Sequence, residues 1–253
     1  MNQKVLIVAL FCIHLGYSQN EKLGDTKLKW VQNIIAMFQA NDVEVISNCI
    51  EYPISREYPV PRINNATELK SRFSEIFDEK LVHTIVNSKP EDWSEVGWRG
   101  IMLFDGVIWL DGEDGKITTV NYQSEFEKEL QEKIIYNDTK VLHPSLRDFE
   151  APFLKILTLN HLIRVDELAN GKLRYAAWKS TDSESSMPDL VLTNGEMEIQ
   201  GTGGNFAVVF TSGNYTYTIF RNFIGDQNRP DATLVVERNG QIILAQDGIL
   251  KFD

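Results

Sequence analysis

The sequence predicts an α+β protein in two parts: helices packed on a curved antiparallel sheet, then an all-β antiparallel sandwich or barrel. Three observations predict it. Apolar residues recur at helical spacing within residues 25–140 and then give way to short strands. Asp105-Gly106 and three Asn-Gly pairs (Asn170-Gly171, Asn194-Gly195, Asn239-Gly240) lie between strand-like runs, as hairpin turns do. Strands after residue 150 are short and regularly spaced, which suits a sandwich or barrel. The predicted division is a leader at 1–18, an α+β part at 19–145 and an all-β part at 150–253.

Residues 1–18 read as a cleavable signal peptide. Lys4 supplies the charge, Val5 to Leu15 the short apolar run, and Gly16-Tyr17-Ser18 the small-residue exit. The run is too short for a membrane span. Leu10 and Phe11 before Cys12 argue against lipid attachment, which needs a small residue there. The expectation is an exported protein, periplasmic or secreted. Removing the leader leaves 24 basic and 36 acidic residues, a net −12. That balance disfavours nucleic acid and anionic membrane surfaces. Cys49 is then the single cysteine, so no intramolecular disulfide is expected, and it reads as a small buried hydrophobe.

In the first part, Leu28, Val31, Ile34, Ile35 and Phe38 predict a helix capped by Asp25 or Thr26. Asn41 with Glu44 predicts a capping box opening a short helix through Ile50. Prolines 53, 59 and 61 force an irregular segment. Leu69, Phe73, Ile76 and Phe77 form a third helical stripe, and Asp78 caps a continuation through Val86. Strands follow over Val96–Phe104, Val107–Asp111 and Lys116–Tyr122. Ser124 and Glu127 form another capping box, opening a helix with Phe126, Leu130 and Ile134 on one face. In the second part, strands are expected over Phe153–Leu168, Lys172–Lys179, Asp189–Thr193, Glu196–Gln200, Phe206–Thr211, Tyr215–Ile224, Thr233–Arg238 and Gln241–Ala245.

The order of residues 25–122, helices then a proline segment, a helix and a strand meander, resembles the nuclear transport factor 2-like (cystatin-like cone) superfamily. The run from Asp92 to Leu110 and the segments Leu173–Trp178, Pro188–Leu192 and Gly201–Asn205 look like uncharacterised exported bacterial proteins with this cone. The resemblance implies a pocket at the wide end of the cone. The superfamily hosts isomerases, dehydratases, hydrolases and non-enzymes, so it assigns no catalytic residue.

Cofactor signals fail on inspection. Gly201-Thr202-Gly203-Gly204 lacks the third glycine and the following helix of a dinucleotide loop. His83, His143 and His161 have no metal-ligand spacing, and Asp111–Gly115 lacks the carboxylate pattern of a calcium loop. No cofactor and no metal are expected. Asp92, Asp105 and Glu51 lie near the strands, in capping, turn or surface roles. Aromatics are the more informative set: Trp30, Tyr52, Trp98, Trp109 and Tyr122 are candidate pocket lining, with Arg99 as an orienting cation for an acidic ligand. Asn205, Tyr215 and Tyr217 are a candidate binding surface on the all-β part. The expected function is non-catalytic binding of a small molecule, glycan or envelope protein. The alternatives are a small-molecule isomerase, dehydratase or hydrolase using a carboxylate in the cone pocket, and a structural envelope component.

Overall fold

A computed structural model describes residues 23–201, 204–223 and 229–252. The predicted leader lies outside them. The architecture is α+β: helices with a four-stranded antiparallel sheet, followed by an eight-stranded antiparallel barrel.

Helix α1 (Asp25–Gln39) buries Val31, Ile34 and Phe38, the predicted stripe, but starts from Gly24 without a side-chain cap. Helix α2 (Val43–Asn48) is capped by Asp42, which accepts from the Val45 amide; the predicted Asn41 instead lies at φ 51°, outside the helix. Asn65 caps α3 (Ala66–Ile76), and Asp78 caps α4 (Glu79–Val86) as expected. Each cap oxygen satisfies a first-turn N–H that has no partner within the helix.

The sheet is a meander of β1 (Trp93–Glu95), β2 (Ile101–Leu103), β3 (Ile108–Leu110) and β4 (Ile117–Val120). Its alternate residues Trp93, Ile101, Leu103, Ile108, Leu110, Ile117 and Val120 join the helix stripes in one core. That core is filled by fully buried aliphatic side chains.

The strand predicted over Val96–Phe104 is corrected. Glu95 pairs with Ile101, so Val96–Gly100 is the loop of the β1–β2 hairpin. Gly97 (φ 53°) and Gly100 (φ 98°) take backbone angles that favour glycine, and a Cβ on Gly100 would stand 2.1 Å from the Leu110 carbonyl oxygen. Two glycines thus outweigh the strand-like alternation. Asp105-Gly106 does lie in the next turn, but the connection spans Phe104–Val107 rather than two residues.

Helix α5 (Glu125–Val141) begins at Ser124, whose hydroxyl accepts from the Glu127 amide. The Glu127 carboxylate does not complete the expected box. It turns inward to Arg56, and Phe126 is exposed. The inner face of α5 is set by polar anchors, which is why its apolar stripe misled.

The barrel runs in chain order: β5 (Ala151–Thr158), β6 (His161–Glu167), β7 (Leu173–Lys179), β8 (Leu190–Ile199), β9 (Phe206–Ser212), β10 (Tyr215–Arg221), β11 (Ala232–Arg238) and β12 (Gln241–Leu250), with β12 meeting β5. Of the predicted sandwich or barrel, it is a closed barrel. Leu154, Ile156, Val165, Tyr175, Val208, Phe210, Ile219 and Leu234 fill its interior.

Several strand boundaries differ from expectation: β12 runs to Leu250 rather than Ala245, and two other differences change the connections. Phe153–Leu168 is a hairpin, β5 and β6, turning at Leu159-Asn160. Asn194-Gly195 is no turn: it lies inside β8, where the pairing with β7 slips between Leu173 and Tyr175. Asn194 at φ 60° carries this bulge, and Gly195 leaves room for Phe210, whose ring would stand 2.2 Å from an added Cβ. Asn239-Gly240 is a true two-residue hairpin turn with both φ angles positive.

Helix α5 ties the two parts together. At its start, Arg56 from the proline segment donates through Nε to Glu127 Oε1 (2.6 Å), through Nη2 to Glu127 Oε2, and to the carbonyls of Val120 and Tyr122 (both 2.6 Å). Near its end, Asp138 accepts from Lys155 Nζ at 3.2 Å and from Arg164. Arg62 donates to Asp231 Oδ1 at 2.8 Å, joining the proline segment to the barrel directly.

Candidate functional site

One recess lies at the barrel end that carries the β6–β7 turn. It has a volume of about 390 Å³ and is lined by Phe153, Glu167, Lys172, Leu173, Gly195, Glu196 and Met197 among others. Its walls follow from local sequence. Asn170-Gly171 turns β6 into β7, with the Lys172 amide donating to Asn170 Oδ1 at 3.0 Å. A register slip between Pro152 and Leu154 sets Phe153 at a bulge. The Asn194 bulge re-aims the end of β8, leaving Met197 half-exposed. Bulges on two strands therefore shape one rim.

Phe153 packs edge-on against Phe206 (centroids 5.5 Å apart), Phe206 against Phe223 (6.1 Å), and the Arg221 guanidinium lies 4.1 Å from the Phe223 centroid. The aromatic wall is thus braced from behind. Glu196 is paired with Lys172 Nζ at 2.6 Å, and that hydrogen bond holds its carboxyl below the ordinary range. Glu167 is half-buried, and among the described residues its carboxylate has no ion pair or hydrogen bond.

The predicted pocket residues do not converge. Trp30 packs on Gly115 and lines a separate recess of about 100 Å³ with Met37 and Cys49. Burial pushes the Cys49 thiol up, and its sulfur lies 3.4 Å from Met37 Sδ. Tyr52 donates to the Ser47 carbonyl at 2.9 Å, and burial pushes its hydroxyl up to about 12. Tyr122 donates to Asp78 Oδ2 at 2.8 Å and is pushed up to about 12 by burial and by that carboxylate. Trp109 is half-buried over Gly106. Trp98 is 68% exposed and Arg99 is exposed too, both in the short 3-10 turn Gly97–Arg99. The strand expected over Val96–Phe104 does not include them: neither residue lies on a strand.

On the barrel Tyr215 and Tyr217 lie side by side, ring centroids 6.4 Å apart, while Asn205 lies away from them. Asn205 precedes β9 at the recessed end, where its Oδ1 accepts from the Phe223 amide at 2.7 Å. Tyr215 starts β10 at the opposite end, with Arg238 5.5 Å from its ring centroid. Tyr217 packs on the buried Tyr175 at 5.9 Å, so it belongs to the barrel interior. Sequence reasoning missed Phe153, Glu167, Lys172 and Met197. The usable signal was the pair of Asn-Gly steps flanking them.

The buried charges are structural. Lys155, Arg164 and Arg174 interleave with Asp138, Asp166 and Glu184 on the outer face of β5–β7. Burial would raise Asp138, but Arg164 and Lys155 outweigh it and hold the carboxyl low. Burial raises Asp166, with Arg164 and Arg174 opposing. Asp166 is wholly buried between those two arginines, so no substrate reaches it. Among the described residues no cluster of His, Cys, Asp or Glu has metal-holding geometry, and no helix is long and apolar enough to cross a membrane. No family model, curated protein or solved structure matches the chain.

Proposed function

We propose that the chain is a non-catalytic binding module that takes a small hydroxyl- or amine-bearing ligand, such as a sugar unit, at the recessed end of its barrel. The observation that carries this reading is the Glu167 carboxylate, half-buried and unpaired among the described residues beside the apolar wall of Phe153 and Met197. An apolar recess of a few hundred Å³ with a few polar groups is the usual form of a ligand site. A ligand hydroxyl or ammonium would supply the hydrogen bonds that Glu167 lacks, and Phe153 an aromatic face for a sugar ring or alkyl chain. The second carboxylate at the recess, Glu196, is paired with Lys172 and held below the ordinary range, which supports binding over the hydrolase, isomerase or dehydratase reading.

Two further elements belong to the proposal. The leader-like residues 1–18 support export. Helices followed by a four-stranded meander support a nuclear transport factor 2-like first part, here with its core filled and serving as a scaffold.

The test is a thermal-shift screen of sugars and amines. A ligand that binds the folded chain raises its melting temperature. The expected hit loses its effect in both Glu167→Gln and Phe153→Ala. A hit whose shift survives both substitutions refutes the site.

A further inference from the structure

We propose that the chain forms a two-fold dimer in which the Gln241–Gln246 stretch of β12 pairs antiparallel with the same stretch of a second copy. Among the described residues the barrel closes through three residue pairs, Gly248 with Thr158, Ile249 with Leu157 and Leu250 with Ile156, and the Lys251 amide donating to the Lys155 carbonyl. Strand β5 ends at Thr158 and the chain turns back at Leu159-Asn160. Residues Gln241–Ala245 therefore bond to β11 on one side and, among the described residues, face no strand on the other. Gln246 marks the limit of the seam, its side chain accepting from Thr158 Oγ1 at 2.8 Å.

This edge is unguarded. Free edges are normally protected by charge, proline or cover, because their backbone groups template pairing with another strand. Asn239 to Gln246 carries no charge and no proline, in a chain that is 24% charged. Ile242 and Ile243 are 64% and 57% exposed, and Leu159 beside the seam is 81% exposed. The one irregularity, a bulge where Glu237 faces Ile242, lies at the hairpin end of the edge.

A second copy of the chain fits this edge. A two-fold contact needs a self-complementary patch. Antiparallel pairing of the stretch with itself keeps uncharged residues against uncharged residues. It brings Asp247 of each strand toward the Asn239-Gly240 turn of the other, which adjoins Arg238, and it never sets Asp247 against its own copy. The unused backbone donors and acceptors find partners, and four isoleucines leave water. The inference is independent of the recess, which lies at the other end of the barrel.

Sedimentation velocity on the full chain tests it, with Ile243→Lys and, as a control, Ile199→Lys on β8, where Ile199 is 73% exposed. Wild type and the control are expected at twice the chain mass. Ile243→Lys is expected at the chain mass with an unchanged far-ultraviolet spectrum. If Ile243→Lys does not fold, Ile242→Lys takes its place with the same outcomes. A wild type that stays monomeric at millimolar concentration overturns the proposal. So does a lysine edge variant that remains dimeric, or equal loss of the dimer in the control.

Discussion

Replacing Glu127 by leucine should be among the most destabilising single changes in this chain. The Arg56 and Glu127 side chains are 3% and 1% exposed, so the pair is removed from water. Glu127 takes two of the four hydrogen bonds that the guanidinium makes, and the carbonyls of Val120 and Tyr122 take the others. Removing the carboxylate leaves a buried cation held only by neutral carbonyls. Breaking a buried pair in this way costs about 3–5 kcal/mol. Set against a total stability of about 5–15 kcal/mol, that is a fifth or more of the whole. For a domain of this size the melting temperature should fall by about 6–20 °C. Urea unfolding followed by tryptophan fluorescence reads it, with buried Trp93 in the helix-and-sheet core and buried Trp178 beside the barrel as reporters. The double variant Arg56→Met/Glu127→Leu removes both charges and should recover most of the loss. A loss below about 1 kcal/mol in the single variant, the range of an exposed pair, would refute the reasoning.

Three further outcomes follow from the same structure. Gly195→Ala must push against the buried Phe210 ring, so its urea midpoint should fall by an amount equivalent to about 1–3 kcal/mol; an unchanged midpoint would mean that the β8 bulge relaxes freely. Trp98→Ser, at a 68% exposed loop residue, should change stability by less than about 0.5 kcal/mol in the same assay. Burial works to raise Asp231, but the hydrogen bonds from Arg62 and the Leu250 amide prevail and hold its carboxyl below the ordinary range. An acid whose folded pKa is depressed lends stability that is present above its unfolded value, about 3.9, and fades as pH falls toward the folded value. Acid titration of stability should therefore be less steep below about pH 4 in Asp231→Asn than in wild type; parallel curves would remove Asp231 from the clasp.

Much of the local structure was legible because its causes are local. Asp78 and Ser124 cap helices for the reason their sequence positions suggest: each oxygen reaches a first-turn amide. Asn239-Gly240 reads as a tight turn and is one, since both residues take positive φ. The same dipeptide at Asn194-Gly195 serves instead as a bulge, and the deciding contact is Phe210 on the next strand. Nothing local distinguishes those two cases. Leu159-Asn160 turns without glycine or proline, so β5 and β6 read as one strand. Trp98 and Arg99 seemed to alternate on a strand, yet Gly97 and Gly100 bend that stretch into a loop.

The candidate site was harder to read. The crowd of aromatics in the first part was visible, but Trp30, Tyr52 and Tyr122 pack on a filled core and Trp98 lies exposed in a loop. Phe153, Glu167, Lys172 and Met197 come from four different strands or their turns. Only the closure of the barrel brings them together, and closure depends on long-range register that no short window of sequence encodes.

The proposed function stands on ligand binding at the recessed end of the barrel. Backbone amide chemical-shift mapping with a hit from the sugar and amine screen tests it most directly. Saturable shifts are expected at Phe153, Glu167, Lys172 and Met197 that vanish in Glu167→Gln. Shifts centred on Trp30, Met37 and Cys49, or a full pattern retained in Glu167→Gln, would contradict it.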